Sequence, residues 1–272
     1  MLKLAYYIRS RELHRDPRLQ GLLAALRGGG ARVYELREDA SPEEGTDILL
    51  SFGGDGTFLS AAQKVIGTPI PVLGVNLGRL GFLSETRLDA LAPALLQGAY
   101  RVERRALLEV DTGVKSYALN EMALNRTGAA MLGIDVLIDG APLPTYWADG
   151  LLVATSSGST AYSLSVGGPI CTPAAEVLIV APIAPHNHNV RPLVLPASAQ
   201  LEIRLRSRDG GVMCTVDNRA AEIPADSCIR VSTAPLTLGK VSVGDTSFID
   251  ALRDRLLWGQ DVRNVTEKNT TI

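Results

Sequence analysis

The chain has 272 residues, 46% hydrophobic and 21% charged, with a formal net charge of −2 at pH 7. That length suits one or two folded domains. The balanced charge excludes the basic surface that nucleic acid or anionic lipid demands, so small molecules are the expected partners, with neither nucleic acid nor membrane.

The opening stretch, MLKLAYYIRSRELHRD, meets charge too early for a secretory signal. It contains a first expected strand, LKLAYYI. The segment RLQGLLAALRGGG has the apolar spacing of an amphipathic helix closed by glycines, and ARVYEL and DILLSF are expected as the next two strands. A glycine-rich turn follows, then a helix over TFLSAAQKVI, a strand over IPVLGVN and the segment LGRLGFLSE. Strands alternating with short helices imply right-handed crossovers and a parallel sheet, with ligands beyond the carboxyl ends of its strands.

From about Arg101 the pattern changes. RRALLEVDTG, KSYALNEMALNR, GIDVLIDGAPL and LEIRLRSRDGGVMCTVDNRAAEIP alternate apolar with polar residues and are broken by Asp-Gly, Gly-Gly and Pro, as antiparallel strands and hairpins are. A final amphipathic helix is expected in TSFIDALRDRLLW. The expected fold class is therefore α/β: an N-terminal Rossmann-like parallel-sheet domain, residues 1–98, joined by the C-terminal helix 246–272, and a C-terminal β-rich domain of β-sandwich type, residues 99–245.

About 26 residues between Asp149 and Glu176 carry no charge, the length of a membrane span, but serine, threonine and glycine fill much of the stretch and favour a loop-rich site inside a protein. Three widely spaced cysteines, Cys171, Cys214 and Cys228, form no CxxC pair, so neither a disulfide framework nor a zinc site is expected and a reducing cytoplasm fits.

Two stretches carry the chemistry. In Gly53, Gly54, Asp55, Gly56 and Thr57 the glycines permit positive φ and expose backbone N–H groups to an anion, with a helix N-terminus behind them. No lysine follows, as a P-loop requires, and Gly74, Gly78 and Gly81 lack the spacing of a dinucleotide fingerprint. An aspartate among phosphate-binding glycines either accepts a proton from an attacking hydroxyl, or holds a metal ion, or caps the helix. The second stretch, ADGLLVATSSGSTAYSLSVGGP, crowds Ser156, Ser157, Ser159, Thr160, Ser163 and Ser165 around Tyr162, which suits a ligand with ribose, phosphate and a flat ring; the alternative is a polar loop over the sheet. The spacing of His186 and His188 hints at a metal, but no further His or Cys lies near, and a polar loop is the simpler reading.

GGDGT, then GVNLGRLGFL, then NEMAL at Asn120 to Leu124, then DGLLVATSSGSTAYSLSVGGP together resemble the ATP-dependent NAD kinases of bacterial type, over nearly the whole chain. The resemblance implies transfer of a phosphoryl group from ATP to the 2′-hydroxyl of NAD's adenosine ribose, with Mg²⁺ as cofactor. It implies Asp55 as general base, Gly53, Gly54 and Thr57 on the donor phosphates, and Gly56 beside Asp55 in the dinucleotide contact. Asn120 and Glu121 match the pair that hydrogen-bonds adenine and ribose; Asp149 matches an aspartate at the nicotinamide end. Thr160, Ala161, Tyr162, Ser163 and Ser165 match the adenosine pocket, and Ala184 its wall. Many members carry arginine or lysine where Trp147 stands, and glutamine or histidine where Arg219 stands; stacking by Trp147 and a grip on the new phosphate by Arg219 are the expected substitutes, or Arg219 lies in solvent. The resemblance also implies a homodimer or homotetramer with the NAD site near a subunit interface. A lipid kinase of the diacylglycerol or sphingosine type, and a non-catalytic dinucleotide-binding regulator, are the alternatives.

Overall fold

The computed structural model describes residues 1–77, 81–84, 88, 91–244 and 247–256. The chain divides into two compact units: Met1–Phe58, Val72–Val102 and the residues from Val241 onward form one, and Leu59–Pro71 with Glu103–Lys240 form the other.

The first unit holds β1 (Lys3–Ile8), α1 (Pro17–Gly28), β2 (Arg32–Glu35), β3 (Ile48–Phe52), the start of α2 (Asp55–Gln63), β4 (Val72–Val75) and α3 (Leu91–Gln97). Its strands are all parallel, in the order β2-β1-β3-β4, with Ile8 beside Phe52 and Phe52 beside Val75. The chain winds one way from β1 to β2 and the other way from β3 to β4, so the order reverses between β1 and β3. Doubly wound sheets bind their ligands at such a reversal, beyond the carboxyl ends of the strands. All five residues of β3 are buried, as expected of a central parallel strand. Helix α1 starts at Pro17 behind an Asp16 cap that accepts from Arg18 N, and it buries Leu19, Leu22, Leu23 and Leu26 on one stripe. Those leucines join Leu4, Tyr6, Ile8, Leu50, Phe52, Leu73 and Val75 in one apolar cluster.

The second unit is rich in strands: β5 (Arg101–Asp111), β6 (Lys115–Ala118), β7 (Glu121–Arg126), β8 (Leu132–Ile138), β9 (Ala141–Pro142), β10 (Tyr146–Thr155), the short helix α4 (Tyr162–Ser165), β11 (Val177–Pro185), β12 (Leu193–Pro196), β13 (Leu201–Arg206), β14 (Val212–Val216), β15 (Arg219–Ile223) and β16 (Cys228–Ser242). Its main path is β15-β14-β7-β10-β8-β13-β16, antiparallel at each step, with β11 and β12 branching from β10. Strand β10 is buried on both faces. Leu151 and Val153 join the large cluster with Met122, Leu124, Val180 and Ile203, while Leu152 and Ala154 pack with Ala123, Ile179 and Ala181. Two covered faces explain the unbroken apolar run from Gly150 to Thr155, and among the described residues no helix is long and apolar enough to cross a membrane.

The expected strand over KSYALNEMALNR is divided: β6 ends at Ala118 and β7 begins at Glu121, with Leu119 and Asn120 at the break. The helix expected from Thr57 begins two residues earlier, so Asp55 is its first residue. Helix α5 (Phe248–Leu256) lies within the C-terminal segment expected to be helical, and residues 257–272 lie outside the described residues.

Candidate active site

The first group of site residues is built where β3 ends. Gly53 has φ of 149°, and a side chain there would collide with Thr57 Oγ1, so this position requires glycine. Gly54 and Gly56 are different: both are exposed, and a Cβ on either meets nothing within 4 Å. Asp55 faces the segment after β4. Its Oδ1 accepts from the N–H groups of Leu83 (3.1 Å) and Ser84 (3.2 Å), and its Oδ2 from Phe82 N–H (3.0 Å). A Cβ on Gly81 would overlap Oδ1, so the glycine in GFLS is what lets the carboxylate nest there. Arg255 of α5 brings Nη1 to 3.6 Å from Oδ2. Asp55 is thus a positioned carboxylate beside a cation, and its backbone N–H contacts are supplied by a loop, not by its own helix. Arg79 and the rest of residues 78–80 lie outside the described residues.

The second group lies on β7, β10, β11 and the turn between β14 and β15. Asn120 sits at the break before β7 and Glu121 opens that strand, both held from behind by Asp217, whose carboxylate accepts from Leu119 N (2.8 Å), Asn120 N (2.8 Å) and Glu121 N (3.3 Å). Asp217 is 7% exposed and has φ of 52°. Gln63 Nε2 reaches both Tyr117 O (3.1 Å) and Asp217 Oδ2 (3.4 Å), and Asn218 Nδ2 donates to Ser60 Oγ at 2.7 Å. These bonds tie the second half of α2 to the Asn-Glu turn. Asp217 is not among the residues expected from sequence; its one signal is the short VDN turn between two strands, which favours residues able to adopt positive φ.

Burial raises the Glu121 carboxyl from 4.5 to about 8, the Asp217 charge adds to the rise, and the Tyr162 N–H opposes it. Burial also raises Asp217, against three amide donors, so Glu121 with its single amide donor is the member of the pair that keeps a proton. Its Oε2 is buried with no partner among the described residues. The native state then holds a proton that the unfolded chain gives up. Its stabilising contribution is complete below pH 4.5 and is lost as pH rises through about 8. The expected result is a melting temperature that falls across that window in the parent chain and falls less in Glu121→Gln; parallel curves would exclude it.

Tyr162, expected to stack on a ligand, is 37% exposed and follows the 3₁₀ turn Ser157–Thr160; Ser165 is exposed, while Ser163 is fully buried, its Oγ without a partner among the described residues. Thr160 and Ala161 are half-buried beside Tyr162. Several neighbouring hydroxyls are spent internally. Thr155 Oγ1 donates to Leu119 O, Ser156 Oγ to Pro173 O, and Ser159 Oγ bridges the backbone of Cys171. The density of hydroxyls in this stretch therefore reflects loop closure as well as a surface for a ligand.

Asp149 and Ala184 come together. The pairs Ala148 with Pro185 and Gly150 with Ile183 put Asp149 opposite Ala184, which has φ of 46°, strained for a residue with a side chain. Arg126 on the neighbouring strand pairs with Asp149 at 2.6 Å, a partner that local sequence does not disclose because the two are 23 positions apart. Trp147 is 43% exposed, lies against Gly133, and has the Arg206 guanidinium 5.9 Å above its ring. Arg219 does not simply lie in solvent: Nη2 donates to Tyr117 O at 2.6 Å. His186 and His188 are exposed, and among the described residues no group of three His, Cys, Asp or Glu could hold a metal.

A doubly wound sheet with a glycine-cradled carboxylate at its strand reversal, in one chain with a strand-rich unit bearing a buried amide and carboxylate, has the layout of a nucleotide phosphotransferase. Family models for the ATP-NAD kinase N-terminal domain and the ATP-NAD kinase C-terminal domain match residues 25–100 and 119–242. The NAD kinase of Porphyromonas gingivalis is 44% identical over 232 residues, covering 83% of this chain and 80% of its own length. The NAD kinase of Flavobacterium psychrophilum is 37% identical, covering 80% and 78%. Among solved structures, yeast NADH kinase complexed with NADH superposes with a TM-score of 0.84 at 24% identity, covering 96% of this chain and 89% of its own. An NAD kinase from Archaeoglobus fulgidus in complex with ATP gives 0.76 at 26% identity, covering 95% and 98%. The chain belongs to the NAD kinase family and is an enzyme, which sets aside both a lipid kinase and a non-catalytic regulator.

Proposed function

We propose that this chain phosphorylates the 2′-hydroxyl of NAD's adenosine ribose with ATP, giving NADP, and that Asp55 removes the hydroxyl proton as the oxygen attacks the γ-phosphorus. The observation that carries the reading is the fixed direction of the Asp55 carboxylate: three loop amides aim it, and Gly81 gives it room. Gly53, Gly54 and Thr57 take the donor phosphates and Gly56 joins the dinucleotide contact beside Asp55, supported by the positive φ at Gly53 and the space around Gly54. Asn120 and Glu121 hold adenine and ribose; Glu121, protonated below pH of about 8, donates or accepts as the ribose requires. Thr160, Ala161, Tyr162, Ser163 and Ser165 form the adenosine pocket, while Asp149, aimed by Arg126, and Ala184 take the nicotinamide end with Trp147 beside them. Arg219, held by the Tyr117 carbonyl, serves the new phosphate.

Magnesium fits as the companion of the triphosphate, because a small hard cation would be held chiefly by phosphate oxygens and water, and among the described residues no group of three His, Cys, Asp or Glu forms a cage for it. When bound it offsets the charge on the transferring group. The parallel-sheet domain, with the C-terminal helix, handles donor and catalysis, and the β-rich domain handles NAD. Three free thiols suit the reducing cytoplasm. A homodimer or homotetramer is part of the proposal; an active monomer in sedimentation would remove it.

The test is direct. Purified protein incubated with Mg·ATP and NAD is expected to form NADP at a rate that depends on all three, and no NADP from a stable, folded preparation would refute the reading.

A further inference from the structure

Phosphoryl transfer needs cations around the donor, yet the glycine turn itself contributes none. Helix α5 supplies one. It begins with a reciprocal cap: Ser247 Oγ and N–H donate to Asp250 Oδ2 at 2.7 and 3.0 Å, and Asp250 N–H donates back to Ser247 Oγ at 3.2 Å. Phe248 and Arg255 stand seven positions apart, two helical turns, and so share a face. Both meet Phe82: its ring is 6.1 Å from that of Phe248, and the Arg255 guanidinium lies 5.0 Å above it. Phe82 in turn gives its amide N–H to Asp55. Helix α5 is thus fastened to the loop that aims the carboxylate.

The Arg255 guanidinium is placed close to Asp55 without being consumed by it. At 3.6 Å the contact is an ion pair and too long for a hydrogen bond. Its Nε is buried with no acceptor among the described residues, an unspent donor in a place where leaving one unmade is costly. A planar, permanently charged fork with donors to spare matches phosphate oxygens better than a single carboxylate does.

We propose that Arg255 is the chain's own cation for the donor's terminal phosphate: it rests against Asp55 until the triphosphate binds, then passes to a phosphate oxygen and releases Asp55 for the acceptor hydroxyl. Arg255 stays protonated throughout and no bond is made or broken at it. The proposal rests on Asp55 being the base, and the experiment separates the two.

The experiment measures binding of the Mg²⁺ complex of a non-hydrolysable β,γ-imido ATP analogue to the full chain, with steady-state kinetics alongside. Arg255→Met keeps an aliphatic stem over Phe82, so it removes charge with little loss of packing. It is expected to weaken the analogue by roughly tenfold or more, the usual worth of a charge-assisted hydrogen bond, with KM for NAD within about twofold. Arg255→Lys is expected to recover part of that affinity, which a purely structural role would not require. Asp55→Asn is expected to tighten the analogue when Arg255 is present and to do so less in the Arg255→Met background, a non-additive cycle. Unchanged analogue affinity in Arg255→Met, equal loss in Arg255→Lys, or an additive cycle overturns the proposal. Full turnover in Asp55→Asn would instead overturn the base assignment and leave the binding result to stand by itself.

Discussion

Asp55→Asn is expected to lower the rate of NADP formation on the order of 10²–10⁴, the usual worth of a positioned general base. The substitution is nearly isosteric, so it isolates the chemistry. An asparagine oxygen still accepts from Leu83 and Ser84, while its NH₂ group would face the Phe82 N–H, a loss of about 1 kcal/mol. For a chain of this size that lowers the melting temperature by roughly 2–4 °C. NAD affinity is expected to stay within about twofold. Stopped assays of NADP, with melting curves on the same samples, check both parts. A rate within a factor of two of the parent would remove Asp55 from the chemistry.

Asp217→Ala is expected to cost on the order of 3 kcal/mol or more, because the N–H groups of Leu119, Asn120 and Glu121 lose a buried acceptor at about 1 kcal/mol or more each. The φ of 52° adds to this, since alanine is strained there. The expected drop in melting temperature is roughly 6–12 °C. Asp217→Asn tolerates that φ and keeps an acceptor oxygen, so it should fall between alanine and the parent. Because Asp217 sets the backbone from which Asn120 and Glu121 project, KM for NAD is expected to rise in Asp217→Asn even where the protein remains folded. A melting temperature for Asp217→Ala within about 2 °C of the parent, or an unchanged KM in Asp217→Asn, would show that the turn is held by something else.

Local pattern is enough to find the parallel-sheet region. The buried run ILLSF and the leucine stripe of α1 each report their own surroundings, and the glycines after β3 announce a turn that needs positive φ. Alternation likewise reports the hairpins of the strand-rich unit, because one face of β13 and one of β14 alternate cleanly with the other. It does not single out β11 or the 15-residue β16. In β11, as in β10, both faces are covered, and a doubly covered strand has no period of two to show. Helix α2 starts two residues before its apolar pattern does, because glycine at its second position disguises a first turn that Asp55 begins.

The sequence by itself determined the two structural classes in the chain, the family, and the identity of the carboxylate among the glycines, since each is written in residues adjacent along the chain. What surrounds that carboxylate was decided only by the tertiary structure. Phe82, Leu83 and Ser84 lie 27 to 29 positions from Asp55 and act through backbone amides, which every residue type but proline offers. Arg255 reaches Asp55 from α5, Arg126 reaches Asp149 across a strand pair, and Asp217 holds a turn 97 positions away. Backbone donors and distant charges leave no mark on local composition; chain folding alone brings them within reach.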